Sequence, residues 1–140
     1  MIVQALDSVG QFKPQVQPSE GVTYAHKIEK SESSVDWTLP AAVIERRMRA
    51  FDPFPGVSCT MTSLAGSETV KIWQAQVMSN TSQSPAGTVV GVDAQGVCVA
   101  CGKDALRITQ LQRPGGKRLS AADFLRGFAL QHGQLLGATA

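Results

Sequence analysis

The sequence is poor in cysteine and in long apolar stretches. It has three cysteines in 140 residues, an odd and small number that argues against a disulfide scaffold and favours a reducing compartment. Its longest unbroken apolar run covers only residues 97–101, whereas a helix that crosses a bilayer needs about 20 residues. The first residues show no charged segment followed by an apolar core, so we expect no secretory signal. These features predict a cytoplasmic protein without a membrane partner.

Neither sign of charge dominates, but the charges are unevenly placed along the chain. Residues 1–39 carry three bases and five acids, whereas residues 40–140 carry ten bases and six acids. An excess of four positive charges can attract phosphate groups, although many domains that bind no nucleic acid have as much. Six of the bases lie between positions 103 and 126: Lys103, Arg107, Arg113, Lys117, Arg118 and Arg126.

Hydrophobic periodicity predicts a mainly β domain between two helices. Thr38 is placed to cap a helix over residues 41–50, with Pro40 in its first turn. A last helix begins at Ser120, which forms an S-x-x-D capping box with Asp123. Between the helices, β-rich segments separated by short turns lie at residues 57–61, 70–77, 87–93, 97–101 and 106–111. Five such strands predict an α+β, mainly β fold: a small OB-like Greek-key β-barrel with a preceding and a following helix.

The first 34 residues have a different character. Ile2, Leu6 and Val9 recur at helical spacing, and Gly10 stands where a C-cap glycine belongs. Residues 13–34 are polar and contain two prolines, which is typical of an extended linker. A helix end followed by a linker indicates a piece cut from a longer chain.

No group of side chains indicates catalysis or metal binding. Cys98 and Cys101 form a C-x-x-C, but no second pair completes a zinc site, so we interpret them as buried strand cysteines. His26 and His132 are isolated from any nucleophile or paired carboxylate. The Gly-Gly-Lys of residues 115–117 lacks the remaining residues of a P-loop. We therefore predict no catalytic residue and no metal site.

Two sets of residues suggest nucleic-acid contact, each with a structural alternative. Trp37, Phe51, Phe54 and Trp73 would suit base stacking, but their apolar neighbours favour packing in the core. The loop at residues 113–118 holds three cations on a glycine-rich turn. Exposed cations of this kind suit phosphate contact that is independent of sequence, and a solvated loop is the alternative.

A collinear series of motifs extends over almost the whole chain. The motifs are GVTYAHKI at 21–28, VDW at 35–37, RAFDPFPG at 49–56, VKIWQA at 70–75, PAGTV at 85–89, LQRPGGKR at 111–118 and SAADFLRG at 120–127. In this order they resemble the linker and C-terminal domain of the methionyl-tRNA formyltransferases. Two departures occur, since the family usually has Asn and Trp where this chain has Asp52 and Phe54. Asp52 would add a negative charge beside Arg49.

The resemblance implies a division of the chain and a role for each part. Residues 1–12 would be the remnant of the last helix of an N-terminal catalytic domain, residues 13–34 the interdomain linker, and residues 35–140 an OB-like C-terminal tRNA-binding domain. The whole enzyme would formylate initiator methionyl-tRNA in translation initiation, in the cytoplasm of bacteria or in an organelle. Its 10-formyltetrahydrofolate would bind the N-terminal domain, so this chain would bind no cofactor and lack the catalytic residues.

The resemblance also implies partners, and it leaves alternatives open. The partners would be initiator methionyl-tRNA, held non-specifically by the six late cations, and the N-terminal catalytic domain of the same chain. Sugar-nucleotide formyltransferases and the formyltetrahydrofolate hydrolase type have a similar C-terminal domain. A non-catalytic OB-like interaction module remains a further alternative if the basic residues are scattered over all faces.

Overall fold

One antiparallel β-sheet organises most of the molecule. The computed structural model describes residues 2–64 and 66–137. Its helices are α1 (Ile2–Asp7), α2 (Ala41–Ala50) and α3 (Ala121–Gly127), with short 3-10 helices at Val9–Gln11 and Lys30–Ser33. Its strands are β1 (Val57–Ser63), β2 (Gly66–Met78), β3 (Val89–Asp93), β4 (Gly96–Ala100), β5 (Ala105–Gln112) and β6 (Leu119–Ser120). The predicted α+β, mainly β class is confirmed.

The strands are ordered β1-β2-β5-β4-β3, with β6 paired to β5. After β2 the chain forms β3 and β4, and only then does β5 pair with β2. The neighbouring strands β2 and β5 are therefore joined by a crossover connection. Register shifts between Ile72 and Ala75 mark bulges in the β2–β5 ladder, and bulges bend and twist a sheet. The sheet therefore curls into a half-barrel.

The two edges of this curled sheet are joined by residues 133–137. The N–H of Val89 in β3 donates to the carbonyl of Gln134 at 2.8 Å. On the other side, Thr60 in β1 exchanges two backbone hydrogen bonds with Gly137, at 3.3 and 3.0 Å. The chain near its end thus satisfies backbone groups that edge strands would otherwise leave unpaired.

The core follows the strand alternation expected from the sequence. Val57, Cys59 and Met61 face inward from β1 and are buried. From the helices, Ile44 of α2 and Phe124 of α3 are buried in the same cluster. The inward faces of β2, β4 and β5 complete this cluster, so the half-barrel is filled with side chains.

Three of the four large aromatic residues assigned to the core are buried. Trp37, Phe51 and Trp73 are buried as predicted. Phe54 is not, since 82% of its surface is exposed. The prediction was wrong for Phe54 because it follows Pro53 in the loop after α2, where no helical face turns it inward.

The predicted helix caps had different outcomes. Ser120 caps α3 as expected, and its side chain accepts a hydrogen bond from the Asp123 N–H at 3.1 Å. Pro40, not Thr38, is the N-cap of α2. The Thr38 hydroxyl and N–H donate to Asp36 at 2.6 and 3.0 Å instead, and these two bonds lower the pKa of the Asp36 carboxyl. The Thr38 side chain therefore takes part in a local Asx-type turn and does not cap α2.

Within residues 2–64 and 66–137 the sheet has six strands, where the sequence predicted five. The additional strand, β6, is only two residues long and pairs Leu119 with Leu111. Two residues are too few to show an alternating pattern, so the sequence carried no signal for β6. In addition β2 begins at Gly66, four residues before the predicted start at Val70.

Residues 2–34 form local structure, and none of them is buried. Helix α1 ends at Asp7, and Gly10 lies within the following 3-10 helix, so Gly10 is not the predicted C-cap of α1. Met1 lies outside the described residues. The first buried residue in the described part of the chain is Val35, whose N–H donates to the Ser58 carbonyl at 2.9 Å. No helix among the described residues is long and apolar enough to cross a membrane.

Candidate nucleic-acid interface

The six cations predicted to contact nucleic acid fall at three places in the fold. Lys103 lies in the turn before β5 and Arg107 near the start of that strand. Arg113, Lys117 and Arg118 follow the opposite end of β5, and at about 3.3 Å per residue Arg107 and Arg113 are roughly 20 Å apart. Arg126 lies in the last turn of α3. The structure therefore brings together the loop cations and separates them from Lys103 and Arg107.

All four arginines in the predicted set are paired with carboxylates. The pairs are Arg107 with Asp93 (3.6 Å), Arg113 with Glu68, Arg118 with Asp52 (2.7 Å) and Arg126 with Asp123 (3.0 Å). Lys103 and Lys117 have no carboxylate partner within the part of the chain that the structure describes. Because a paired arginine attracts a phosphate less strongly than a free lysine, these two lysines are the uncompensated members of the set.

Arg118 is held in place by two residues, Asp52 and Trp73. Its guanidinium donates two hydrogen bonds to the Asp52 carboxylate, at 2.7 and 3.2 Å, and its Cζ atom lies 3.6 Å from the centroid of the Trp73 ring. The Trp73 indole N–H donates to the Gln112 side chain at 2.7 Å. The six-membered ring of the indole also lies close to Gly56, where an added Cβ would lie 2.9 Å from Trp73 Cη2. Arg118 is therefore part of a packed cation–π unit.

The contacts of Arg118 also correct the expected position of Asp52. We expected the Asp52 charge to lie beside Arg49, but Arg49 pairs with Glu45 at 2.7 Å, one helical turn away. Asp52 pairs with Arg118, 66 residues later in the chain. The departure from the family pattern at position 52 thus supplies the anchor of the basic loop.

Arg113 is held from another direction. Its guanidinium donates to both carboxylate oxygens of Glu68 and lies 5.6 Å from the Phe128 ring centroid. The hydrogen bond from Arg113 lowers the pKa of Glu68, and the same bond raises the pKa of Arg113. The pair stays ionised over the neutral range, so this arginine is positioned but largely neutralised.

A groove of about 740 Å³ lies between the linker and the loop end of the sheet, and we call it the linker groove. Its walls combine cationic and apolar side chains, chief among them Lys27, Ile28, Lys30, Phe54, Lys71 and Arg113. Among the residues that the structure describes, no Asp or Glu lines it. The ring of Phe54 is 82% exposed there. Cationic walls around an exposed ring are suited to a phosphorylated, aromatic ligand.

Of the residues in the linker groove, only Arg113 was predicted from the sequence to contact nucleic acid. Lys27 and Lys30 were missed because they lie in an acid-rich part of the chain, far in sequence from the late bases. Lys71 was missed although a signal existed: it alternates with buried Val70 and Ile72 on β2, so it must face outward.

The cysteines and histidines form no reactive group in the described part of the chain. Burial raises the pKa of the Cys59 thiol to about 12 and that of Cys101 to about 11, so both stay protonated at neutral pH. Cys98 is half-buried, not fully buried as expected, and its sulfur accepts a hydrogen bond from Arg107 Nε at 3.4 Å. Residues 2–64 and 66–137 contain no group of three or more potential ligands that could hold a metal ion.

Comparisons with known proteins agree on a family. A model of the formyl transferase C-terminal domain matches residues 27–129. The methionyl-tRNA formyltransferase of Acidovorax ebreus is 52% identical over 143 residues, covering 99% of this chain and 43% of the relative. That of Variovorax paradoxus is 51% identical over 138 residues, covering 98% of this chain and 42% of the relative. The chain thus spans about two fifths of the length of these relatives.

Solved structures share the fold. A variant of HypX from Aquifex aeolicus superposes with a TM-score of 0.60 at 25% identity, covering 89% of this chain and 22% of that one. A second HypX variant gives a TM-score of 0.59 at 22% identity, covering 93% and 24%. Both comparisons support the arrangement of strands and helices described above.

Proposed function

Because this chain belongs to the formyl transferase C-terminal domain family, we propose that it is the C-terminal part of a methionyl-tRNA formyltransferase that holds initiator methionyl-tRNA. The enzyme would transfer a formyl group in translation initiation in the cytoplasm, and this part would contribute electrostatic binding. The observation that carries the proposal is the set of cations around the loop end of β5, where Lys117 has no carboxylate partner among the described residues. Phosphate contacts of this kind position a nucleic acid without reading its sequence.

We also propose the division of the chain expected from the sequence. Residues 1–12 would pack on the N-terminal catalytic domain, residues 13–34 would be the linker, and residues 35–140 the tRNA-binding domain, of which 138–140 lie outside the described residues. The first buried residue, Val35, supports the boundary between linker and domain. Exposed Ile2 and Leu6 support a docking role for α1, since their apolar faces have no partner within the described chain.

The 10-formyltetrahydrofolate of the reaction is assigned to the N-terminal catalytic domain and not to this chain. The described residues place no nucleophile and base together, and the thiols of Cys59 and Cys101 are kept protonated by burial. This chain would therefore bind and orient the tRNA, and the chemistry would take place elsewhere in the enzyme.

Two alternatives compete with this proposal. The C-terminal domains of sugar-nucleotide formyltransferases and of the formyltetrahydrofolate hydrolase type are less well supported, since relatives at 52% and 51% identity are methionyl-tRNA formyltransferases. An interaction module without an RNA role is favoured by one observation: four of the six predicted cations are already paired with acids. Binding of tRNA separates this second alternative from the proposal.

Binding of tRNA to this chain is expected to depend steeply on salt. Contact with about three to five phosphates gives a slope of about −2 to −4 in log affinity against log salt. A fourfold rise in salt would then weaken binding roughly 15- to 250-fold, as measured by fluorescence anisotropy of labelled tRNA. Different tRNAs should bind alike, because backbone contacts carry no sequence information. Binding that ignores salt would support the interaction module.

Lys117→Ala is expected to weaken tRNA binding and to reduce the magnitude of the salt slope by about 1. The double variant Lys117→Ala/Arg118→Ala should reduce both quantities further, but Arg118 also anchors Asp52 and Trp73, so the single variant isolates the charge. Lys103→Ala is the matched control, since Lys103 is equally unpaired but precedes the opposite end of β5. Equal losses from both lysines would show that the loop is not the preferred contact.

A further inference from the structure

The linker groove combines two properties that phosphate binding alone does not require. Its cations come from three separate parts of the chain: Lys27 and Lys30 from the linker, Lys71 from β2, and Arg113 from the end of β5. Its apolar wall includes the exposed ring of Phe54. A surface that bound only the phosphates of a duplex would need the cations but would gain nothing from an exposed aromatic ring.

Three of the four cations in the linker groove are uncompensated. Arg113 is paired with Glu68, but no carboxylate lies within ion-pair distance of Lys27, Lys30 or Lys71 in residues 2–64 and 66–137. Lys71 Nζ donates a hydrogen bond to the carbonyl of Pro55 at 3.1 Å. Because Pro55 directly follows Phe54, this bond holds the Lys71 ammonium group near that part of the loop. The groove therefore concentrates positive charge around an apolar surface.

The acids closest in sequence to Lys30 form no ion pair with it. Glu29 and Glu32 flank it, but the Glu32 carboxylate accepts the Glu29 N–H at 2.8 Å in the capping box of the 3-10 helix. The Glu29 carboxylate takes part in the same box. Neither glutamate lines the groove. Both carboxylates therefore accept backbone N–H groups of the 3-10 helix and lie outside the walls of the groove.

Phe54 places a large apolar side chain on the surface of the folded domain. A phenylalanine side chain stabilises a protein when its apolar surface is removed from water, and at 82% exposure Phe54 contributes little of this stabilisation. An exposed ring beside cations is the arrangement on which nucleic-acid bases stack, because every base has a flat aromatic face. In a duplex these faces are covered by the neighbouring bases, so only an unpaired base could reach the ring.

We propose that the linker groove binds an unpaired segment of RNA, with one base stacked on Phe54 and the adjacent phosphates on Lys27, Lys30 and Lys71. This inference rests on the proposed tRNA-binding function and adds to it a ligand class and a position. An acidic peptide would complement the same charges, but it offers no flat ring to stack on Phe54. Charge and aromatic exposure together favour the nucleotide.

Phe54→Ala tests the stacking contact, with a short single-stranded RNA that carries 2-aminopurine as the probe. We expect the substitution to weaken binding roughly 5- to 150-fold, the equivalent of one stacked base, and to leave the salt slope unchanged. Phe54→Trp should retain both the affinity and the quenching of 2-aminopurine. An abasic oligonucleotide with the same number of phosphates should bind the parent and Phe54→Ala alike. Phe12→Ala removes another exposed ring, outside the groove, and should have no effect.

The triple variant Lys27→Ala/Lys30→Ala/Lys71→Ala tests the phosphate contacts with the same probe. Three contacts with a single strand contribute about 2 to the magnitude of the salt slope, and this part should disappear. The unfolding midpoints of the triple variant and of Phe54→Ala are measured alongside. Both should stay near the midpoint of the parent, because the three lysines and Phe54 are exposed.

Measurements on whole tRNA separate this inference from the proposed function. If Phe54→Ala binds the single-stranded probe as the parent does while tRNA still binds with a salt slope, the stacking site is overturned and the proposed function stands. If the probe binds through Phe54 but tRNA does not bind, the site stands and the proposed function fails. If polyglutamate binds as tightly as the RNA and Phe54→Ala changes neither, the groove binds acidic peptides and the inference is wrong.

Discussion

Gly102→Ala is expected to lower the free energy of unfolding by roughly 4 kcal/mol, the sum of a severe overpacking cost and two weakened hydrogen bonds. An added Cβ would overlap the carbonyl oxygen of Thr38 and lie 2.7 Å from its carbonyl carbon. These are backbone atoms, so no side-chain rotation relieves the clash. The Gly102 N–H donates to the carbonyls of Trp37 and Leu39 at 2.9 and 3.1 Å, and separating the two chain segments would weaken both bonds.

Urea unfolding followed by tryptophan fluorescence measures this loss. The matched control is Gly127→Ala, because an added Cβ there meets nothing within 4 Å and its φ is not positive. Gly127 is the last residue of α3, so alanine should change stability by less than about 1 kcal/mol, in the stabilising direction. A Gly102→Ala protein that unfolds at the parent's midpoint would show that the two segments are less closely packed than described.

Phe124→Ala is expected to cost about 3–5 kcal/mol of unfolding free energy. Phe124 is 2% exposed, and its ring lies 5.1 Å from that of Phe128, centroid to centroid. It is the largest side chain that α3 contributes to the core. Its removal leaves a cavity between the helix and the sheet and also uncouples the aromatic pair. A single small domain has about 5–15 kcal/mol of total stability, so this loss would be a large part of it.

Phe12→Ala is the control, because it makes the same substitution at an exposed position. Phe12 is 62% exposed and lies in the segment before the linker, so we expect a change within about 0.5 kcal/mol. Thermal unfolding of the two variants should differ by many degrees. Equal losses would mean that α3 does not pack on the sheet as described.

Local patterns in the sequence were enough to predict most of the secondary structure. The alternation of Val57, Cys59 and Met61 with polar residues identifies an inward face, because side chains in a strand alternate with period two. The Ser120–Asp123 spacing identifies the start of α3, because the cap satisfies N–H groups that a helix leaves free. These signals act over a few neighbouring residues, so a single sequence is sufficient to recognise them.

The sequence also indicated which loop carries cations, but not which cations are free. Whether Arg118 contacts phosphate or Asp52 depends on a residue 66 positions away, and Arg113 meets Glu68 from 45 positions away. The wrong assignment of Phe54 to the core has the same origin. Its exposure depends on the path of the loop after α2 relative to β2, not on its neighbours in the sequence.

By itself, then, the sequence determined the helices, the five longer strands, the buried faces and the resemblance to a family, because periodicity and capping are local. The tertiary structure alone decided how the sheet edges are joined by residues 133–137, which arginines are neutralised, and how Lys27 and Lys71 come to share a groove. These outcomes are non-local: the crossover between β2 and β5 brings segments together that are distant in the chain. Charge pairing and side-chain exposure are set only after such segments meet.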